Sequence, residues 1–241
     1  MKTSPAVSVV IPVYNEAESI VQLQTELEEA LAEIDYELVF VDDGSTDASV
    51  ARIRPHERVE TISFARNRGQ SAALYVGIHQ ARGDVIVLID SDLQNDPRDI
   101  PRLLTGLKEG ADLVCGYRLK RRDHWFKLVQ SRIANAVRSR FTGDGVRDTG
   151  CTLKAMRREC RNALIPFYGM HRFIPALIKG GGYRITETPV SHRPRQHGQS
   201  KYGFGNRAFR ATVDLLGVCW LLSRQIRVQL DSEDGLGRGK H

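Results

Sequence analysis

The first half of this chain is punctuated by short apolar runs that stop at acids, amides or hydroxyls, each followed by a longer stretch with helical spacing. Ser8–Val13, Glu37–Asp42, Val59–Phe64, Val85–Asp90 and Asp112–Tyr117 read as strands. Glu16–Glu33, Thr46–Arg54, Gly69–Arg82 and Pro97–Glu109 read as the helices between them. Strands that are apolar on both faces belong in a sheet covered on both sides, and strand–helix alternation makes that sheet parallel. The expected class is α/β, a mostly parallel sheet with helices on both faces. Ser45 and Asp96 stand where helix N-caps belong, and Pro97 sits at a favoured first helical position.

After Tyr117 the pattern changes. Residues 118–141 hold eight Lys or Arg against one Asp, with Trp125, Val129, Ile133, Ala136 or Val137 and Phe141 at helical spacing. A strand at Thr152–Met156, two helical segments over 157–179 and a strand at Tyr183–Pro189 are expected next. A basic loop, Ser191–Lys201, leads to a long helix, Gly205–Gln229, and a Gly-rich charged tail from Asp231 is expected to be disordered.

The 241 residues, 41% hydrophobic and 27% charged, suffice for a globular core. The formal charge of +6 favours anionic partners: nucleotides, nucleic acid or an acidic membrane face. Cys115, Cys151, Cys160 and Cys219 form no Cys-x-x-Cys pair and read as reduced thiols of a cytosolic protein. Val7–Ile11 is too short for a signal peptide, and Ala211–Leu222, interrupted by Asp214, is too short to cross a bilayer.

Ligands of open parallel sheets sit at the carboxyl ends of the strands. Three polar clusters fall there: Pro12-Val13-Tyr14-Asn15-Glu16, Asp42-Asp43-Gly44-Ser45 and Asp90-Ser91-Asp92. An extended backbone beyond Val85–Asp90 would turn Asp90, Asp92 and Gln94 to one side while Ser91 and Leu93 face away. Oxygen ligands of that kind suit Mg²⁺ or Mn²⁺ shared with substrate phosphates; equally, an Asp at a strand end can simply begin a turn. The first strand–helix junction lacks Gly-x-Gly-x-x-Gly, and Gly203–Ala208 imitates that pattern without a preceding strand. A Walker lysine loop and a Gly-x-Ser-x-Gly elbow are absent from the sequence.

The residues resemble the inverting family 2 glycosyltransferases of GT-A fold, in the branch of dolichol-phosphate mannose synthases and bacterial polyprenyl-phosphate glycosyltransferases. The resemblance covers residues 7–210 and rests on Val-Ile-Pro-Val-Tyr-Asn-Glu (10–16), Val-Asp-Asp-Gly-Ser-Thr-Asp (41–47), Arg-Asn-Arg-Gly-Gln (66–70) and Asp-Ser-Asp-Leu-Gln-Asn-Asp-Pro (90–97). Arg-Asp-Thr-Gly-Cys (147–151), His-Arg-Phe-Ile-Pro (171–175) and His-Gly-Gln-Ser-Lys-Tyr (197–202) extend it. It implies one catalytic domain over 1–230, with a nucleotide-sugar half (1–117), an acceptor half (118–230) and a flexible tail (231–241). Pro12, Tyr14, Glu16, Asp42 and Asp43 would hold the nucleotide, Ser91 would lie beside the donor, and Asp90, Asp92 and Gln94 would hold Mg²⁺ or Mn²⁺ on its diphosphate. Arg118, Lys179, Arg193, Arg195, Ser200 and Lys201 would clamp the diphosphate or an incoming phosphate.

The resemblance further implies a polyprenyl-phosphate acceptor. Relatives acting on sugar hydroxyls carry a Glu-Asp pair near Arg147-Asp148, where this chain departs from the pattern. A phosphate monoester, with a second pKa of about 6, arrives ionised and needs no strong base, so Asp148 is expected to orient a group rather than take a proton. The basic stretch with Trp125 and Phe126 would lie on the cytoplasmic face of a membrane, unless a separate membrane partner protein supplies the attachment. A sugar hydroxyl acceptor remains the alternative. Nucleic acid is the remote one, since the basic residues lack the interleaved aromatics that stacking needs.

Overall fold

The structure, a computed structural model, describes residues 4–118, 138–194 and 205–225. Seven strands form one sheet: β1 (Val7–Val13), β2 (Tyr36–Asp42), β3 (Val59–Ser63), β4 (Val85–Leu88), β5 (Leu113–Arg118), β6 (Lys154–Arg157) and β7 (Ile185–Val190), in the order β3-β2-β1-β4-β6-β5-β7. All pairs are parallel except those of β6, which runs antiparallel between β4 and β5. The helices are α1 (Ile20–Ala30), α2 (Ser49–Arg52), α3 (Gln70–Gln80), α4 (Ile100–Lys108), α5 (Ile174–Gly180) and α6 (Gly205–Arg224).

Side-chain alternation along β1 divides the core. Val7, Val9, Ile11 and Val13 join Leu23 and Leu27 of α1 and Leu103 and Leu107 of α4 on one face. Val10 points the other way, with Val39 and Val41, to meet Leu74 and Ile78 of α3 and Leu177 and Ile178 of α5. Helices therefore cover both faces, as the doubly apolar strands required. Gly77 lets α3 lie directly on the sheet, because a Cβ there would stand 2.4 Å from Val10 Cγ1.

Several expected boundaries move for local reasons. α1 begins at Ile20 rather than Glu16, since the Asn15 and Glu16 N–H groups donate to Ser45 Oγ at 3.0 Å and Ser49 Oγ at 2.7 Å, and Asn15 takes a positive φ of 55°. Ser45 is consequently not a helix cap: Ala48 occupies that position for the short α2. Asp96 does cap, accepting the Arg98 N–H at 3.1 Å ahead of a 3-10 turn at Pro97–Asp99. Of the basic stretch, only Arg118 and residues 138–141 are described; there Arg138 is buried against Asp144 and donates to the Val146 carbonyl at 2.9 Å. Trp125, Phe126 and the tail from Asp231 lie outside the described residues.

At the amino ends of β1 and β2, away from the acidic rim, Glu37 is buried and accepts from Ser8 Oγ at 2.6 Å, Arg82 N at 2.8 Å and Arg82 Nε at 2.7 Å. Burial alone would raise its pKa, but the hydrogen bonds from Ser8 and Arg82 prevail and hold it below the ordinary value. Its contribution is therefore present above the unfolded carboxylate pKa of about 4.3 and is lost as pH falls through the lower folded value. Glu37→Gln should cost about 2 kcal/mol in urea unfolding at neutral pH. The difference from wild type should shrink in acid; a pH-independent difference would contradict the charge argument.

Candidate active site

The carboxyl ends of β1, β2 and β4 form one rim, and hydrogen bonds tie them together. The Ser91 hydroxyl donates to the Pro12 carbonyl at 2.9 Å, joining the ends of β4 and β1. The Asp43 N–H donates to the Val13 carbonyl at 2.8 Å, joining β2 to β1. The Asp43 carboxylate accepts the N–H groups of Arg68 at 2.6 Å and Gly69 at 2.8 Å, and next to them Gln70 donates to Asp90 Oδ1 at 2.7 Å. The junction opening α3 thus links the second and fourth strand ends. Gly69 permits it with a φ of 89°, a conformation L side chains avoid.

Beyond Asp90 the backbone is not extended. β4 ends at Leu88, and the chain turns through Ser91–Leu93, with Leu93 at a φ of 61° and its side chain buried in the core. Ser91 and Leu93 do face away, but the turn rather than strand alternation puts Asp90 and Asp92 side by side. Gln94 Nε2 donates to Asp92 Oδ2. From the opposite direction, the start of β6 supports Asp90: Thr152 bonds its carboxyl, Asn95 Nδ2 donates to Thr152 Oγ1 at 2.8 Å, and the buried Lys154 ammonium adds attraction. Desolvation, then repulsion from Asp92, pushes Asp90 up to about 7, against the bonds from Thr152 and Gln70 and the Lys154 charge. Burial also raises Asp43, and the neighbouring Asp42 adds to the effect.

Tyr14 and Glu16 are half-buried on this rim, while Pro12, Asp42, Asp43 and Ser91 are buried. Arg118 lies at the end of β5 in a two-pronged pair with Asp148, Nε to Oδ2 at 2.7 Å and Nη2 to Oδ1 at 2.8 Å. Arg193 is committed elsewhere: its guanidinium pairs with Glu26 at 2.6 Å and Asp96 at 2.7 Å, and its N–H donates to the Gln94 carbonyl at 2.9 Å. Its contacts strap the 191–194 segment onto the acidic turn. Lys179, exposed in the last turn of α5, donates to the Asp144 carbonyl at 3.4 Å and is not drawn into the bonded set around Asp90. Arg195, Ser200 and Lys201 lie outside the described residues.

Sequence reading missed Gln70, Thr152 and Lys154 as supports of Asp90. Gln70 and Cys151 close quoted motifs, but only the antiparallel direction of β6 shows that Thr152 and Lys154 reach the rim. Asp90 carries a stability cost that can be tested directly. Its folded pKa is raised, so the ionised form destabilises the fold above the unfolded value of about 3.9, fully so above about 7. In chelator-treated buffer, Asp90→Asn should therefore stabilise the protein by about 2 kcal/mol near pH 8, with the gain vanishing near pH 4. Loss of stability at pH 8 would refute the strained-acid assignment.

The chain is similar to proteins that are already known. The sequence profile of "Glycosyl transferase family 2" matches residues 8–164. The chain is 41% identical over 212 residues to the undecaprenyl-phosphate 4-deoxy-4-formamido-L-arabinose transferase of Edwardsiella ictaluri, covering 84% of this chain and 64% of that protein. It is 39% identical over 231 residues to the dodecaprenyl-phosphate galacturonate synthase of Rhizobium johnstonii, covering 91% of this chain and 68% of that protein. The chain thus spans less than two thirds of the arabinose transferase. Among solved structures, glucosyl-3-phosphoglycerate synthase of Mycobacterium tuberculosis in complex with Mn²⁺, UDP and phosphoglyceric acid aligns with a TM-score of 0.70 at 22% identity, over 89% of this chain and 78% of that one. That likeness gives the GT-A fold. Because the profile takes in every strand end that builds the acidic rim, the chain belongs to glycosyl transferase family 2.

Proposed function

We propose that this chain transfers a hexose, mannose- or glucose-like, from a nucleotide sugar to polyprenyl (dolichyl or undecaprenyl) phosphate with inversion, using Mg²⁺ or Mn²⁺. The observation that carries the reading is the Asp90–Asp92 pair: two acids held together at a parallel-sheet rim, one of them pushed up to about 7. Such a pair is costly alone and suits a hard cation that also takes diphosphate oxygens. Among the described residues no group of three His, Cys, Asp or Glu converges, so the remaining ligands would be the Gln94 amide and the donor itself. A divalent ion there would supply Lewis-acid stabilisation of the departing nucleoside diphosphate.

On this reading Pro12, Tyr14, Glu16, Asp42 and Asp43 form the nucleotide side and Ser91 fixes the turn beside the donor. Arg118, Lys179, Arg195, Ser200 and Lys201 are assigned to the phosphates, and Arg193 holds the segment leading to 195–201 in place. The named relatives support a polyprenyl-phosphate acceptor. The Asp148–Arg118 pair supports it independently, because a carboxylate gripped by two guanidinium N–H groups is a poor base and an ionised phosphate needs none. The site would work at the cytoplasmic face of a membrane, through the basic stretch 118–141 or a membrane partner protein, and not on nucleic acid. Among the described residues no helix is long and apolar enough to cross a membrane.

Incubation with Mn²⁺, polyprenyl phosphate and labelled GDP-mannose, UDP-glucose or UDP-galactose should move label into an organic-extractable product. The relatives' names add formamido-arabinose and galacturonate donors to the screen. Chelation or Asp92→Asn should reduce transfer by about a hundredfold or more. Mn²⁺ affinity should rise as pH passes upward through about 7, where Asp90 loses its proton. No lipid product with any donor would sink the reading. Asp148→Asn should keep transfer within about tenfold, whereas a hydroxyl acceptor that relied on this base would lose about a hundredfold or more.

A further inference from the structure

A groove of about 290 Å³ opens beside the acidic rim, on the face of the sheet covered by α3. One wall is Ala72, Tyr75 and Val76 of α3; the other is Pro166, Phe167 and Tyr168. Arg68 and Ser71 line its upper part, next to Gln70, whose side chain bonds Asp90. The groove therefore starts at the rim and follows two turns of α3 away from it.

Its chemistry is one-sided. The walls are hydrocarbon and aromatic, and the Ser71 hydroxyl is already engaged, accepting the Gly169 N–H at 3.0 Å and bonding His171 Nδ1 at 2.8 Å. A nucleobase in this groove would find few groups to satisfy its polar edges. Arg68 differs: its side chain is exposed, and its guanidinium enters no ion pair among the described residues. An exposed forked cation above an apolar channel fits an amphiphile with an anionic phosphate head and a hydrocarbon chain. At the ~30 Å³ that a water-sized group occupies in a liquid, the groove holds roughly ten such groups, about two branched five-carbon units.

The far wall also leads outward. A Cβ on Gly169 would stand 2.8 Å from Asp214 Oδ2, and Arg172 pairs with Asp214 at 2.6 Å, so the Pro166–Tyr168 loop abuts α6. Tyr168 is 75% exposed there, and Val213, Leu216 and Trp220 of α6 are 52%, 61% and 65% exposed. Large apolar side chains so exposed together are uncommon on a protein surface without a partner.

We propose that this groove binds the phosphate-proximal isoprenoid units of the lipid acceptor, with Arg68 meeting the phosphate and the rest of the chain leaving past Tyr168 and α6. The inference rests on the lipid-phosphate reading of the site. Farnesyl phosphate is the probe, titrated calorimetrically into the full chain beside farnesol, inorganic phosphate and UDP with Mn²⁺. Wild type should bind farnesyl phosphate at least tenfold more tightly than inorganic phosphate or farnesol. Ala72→Trp, which fills the groove, and Arg68→Gln should each weaken farnesyl phosphate by tenfold or more and leave UDP binding unchanged, with melting curves confirming that both variants fold. Unchanged farnesyl phosphate affinity in Ala72→Trp overturns the proposal, as does weakening of UDP alone, which would make the groove a nucleotide subsite. Wild-type transfer to polyprenyl phosphate with an unchanged KM in Ala72→Trp would remove the groove and leave the function standing. Groove-dependent binding of farnesyl phosphate without any lipid-linked product would do the reverse.

Discussion

Keeping two carboxylates side by side at the end of a buried strand is the constraint around which the rest of the rim is arranged. Asp90 is stripped of water and faces the charge of Asp92, so the pair resists its own geometry. Its supports come from separate elements: Gln70 from the start of α3, Thr152 and Lys154 from β6, and the buried Leu93 that anchors the turn in the core. None of these is close to Asp90 in sequence except Leu93. The arrangement can therefore exist only once the whole sheet has assembled, and its cost is carried by the packing of both cores rather than by local propensity.

The reversed strand β6 makes this possible. A parallel strand between β4 and β5 would bring its last residues to the rim, whereas the antiparallel β6 brings its first. Thr152 and the segment Asp148–Cys151 that precedes it therefore lie at the acidic end without a long crossover. The same reversal places Lys154 opposite Leu88, beneath the acids, where its ammonium is buried and donates to the Cys151 carbonyl. A buried ammonium bonded to a carbonyl is unfavourable unless negative charge lies nearby, and Asp90 supplies it.

What could be read from the sequence follows from how local each feature is. The strand runs, their apolar faces and the three polar strand ends depend on periods of a few residues, and they appear in the structure where expected. Asp96 as a cap is equally local. The extended backbone expected beyond Asp90 gives way to a turn, because a left-handed Leu93 has no signature in an apolar residue that also suits a strand. Ser45 and Arg193 make contacts that no local pattern announces, because their partners lie far away in sequence. Ser45 receives Asn15, and Arg193 pairs with Glu26 and Asp96.

The two sides of the rim differ in how they treat charge. On the proposed donor side the acids are left in mutual repulsion, which a cation arriving with a diphosphate would relieve. On the other side Asp148 is buried and matched by Arg118, so its charge is already compensated before any ligand binds. A hydroxyl acceptor would need the reverse, a free carboxylate near the reacting oxygen. A phosphate acceptor instead brings its own charge and needs cations and a place for its hydrocarbon. Arg68, unpaired among the described residues and set above an apolar groove that begins at Gln70 and Ser71, meets both needs within one helical turn of the residue that holds Asp90.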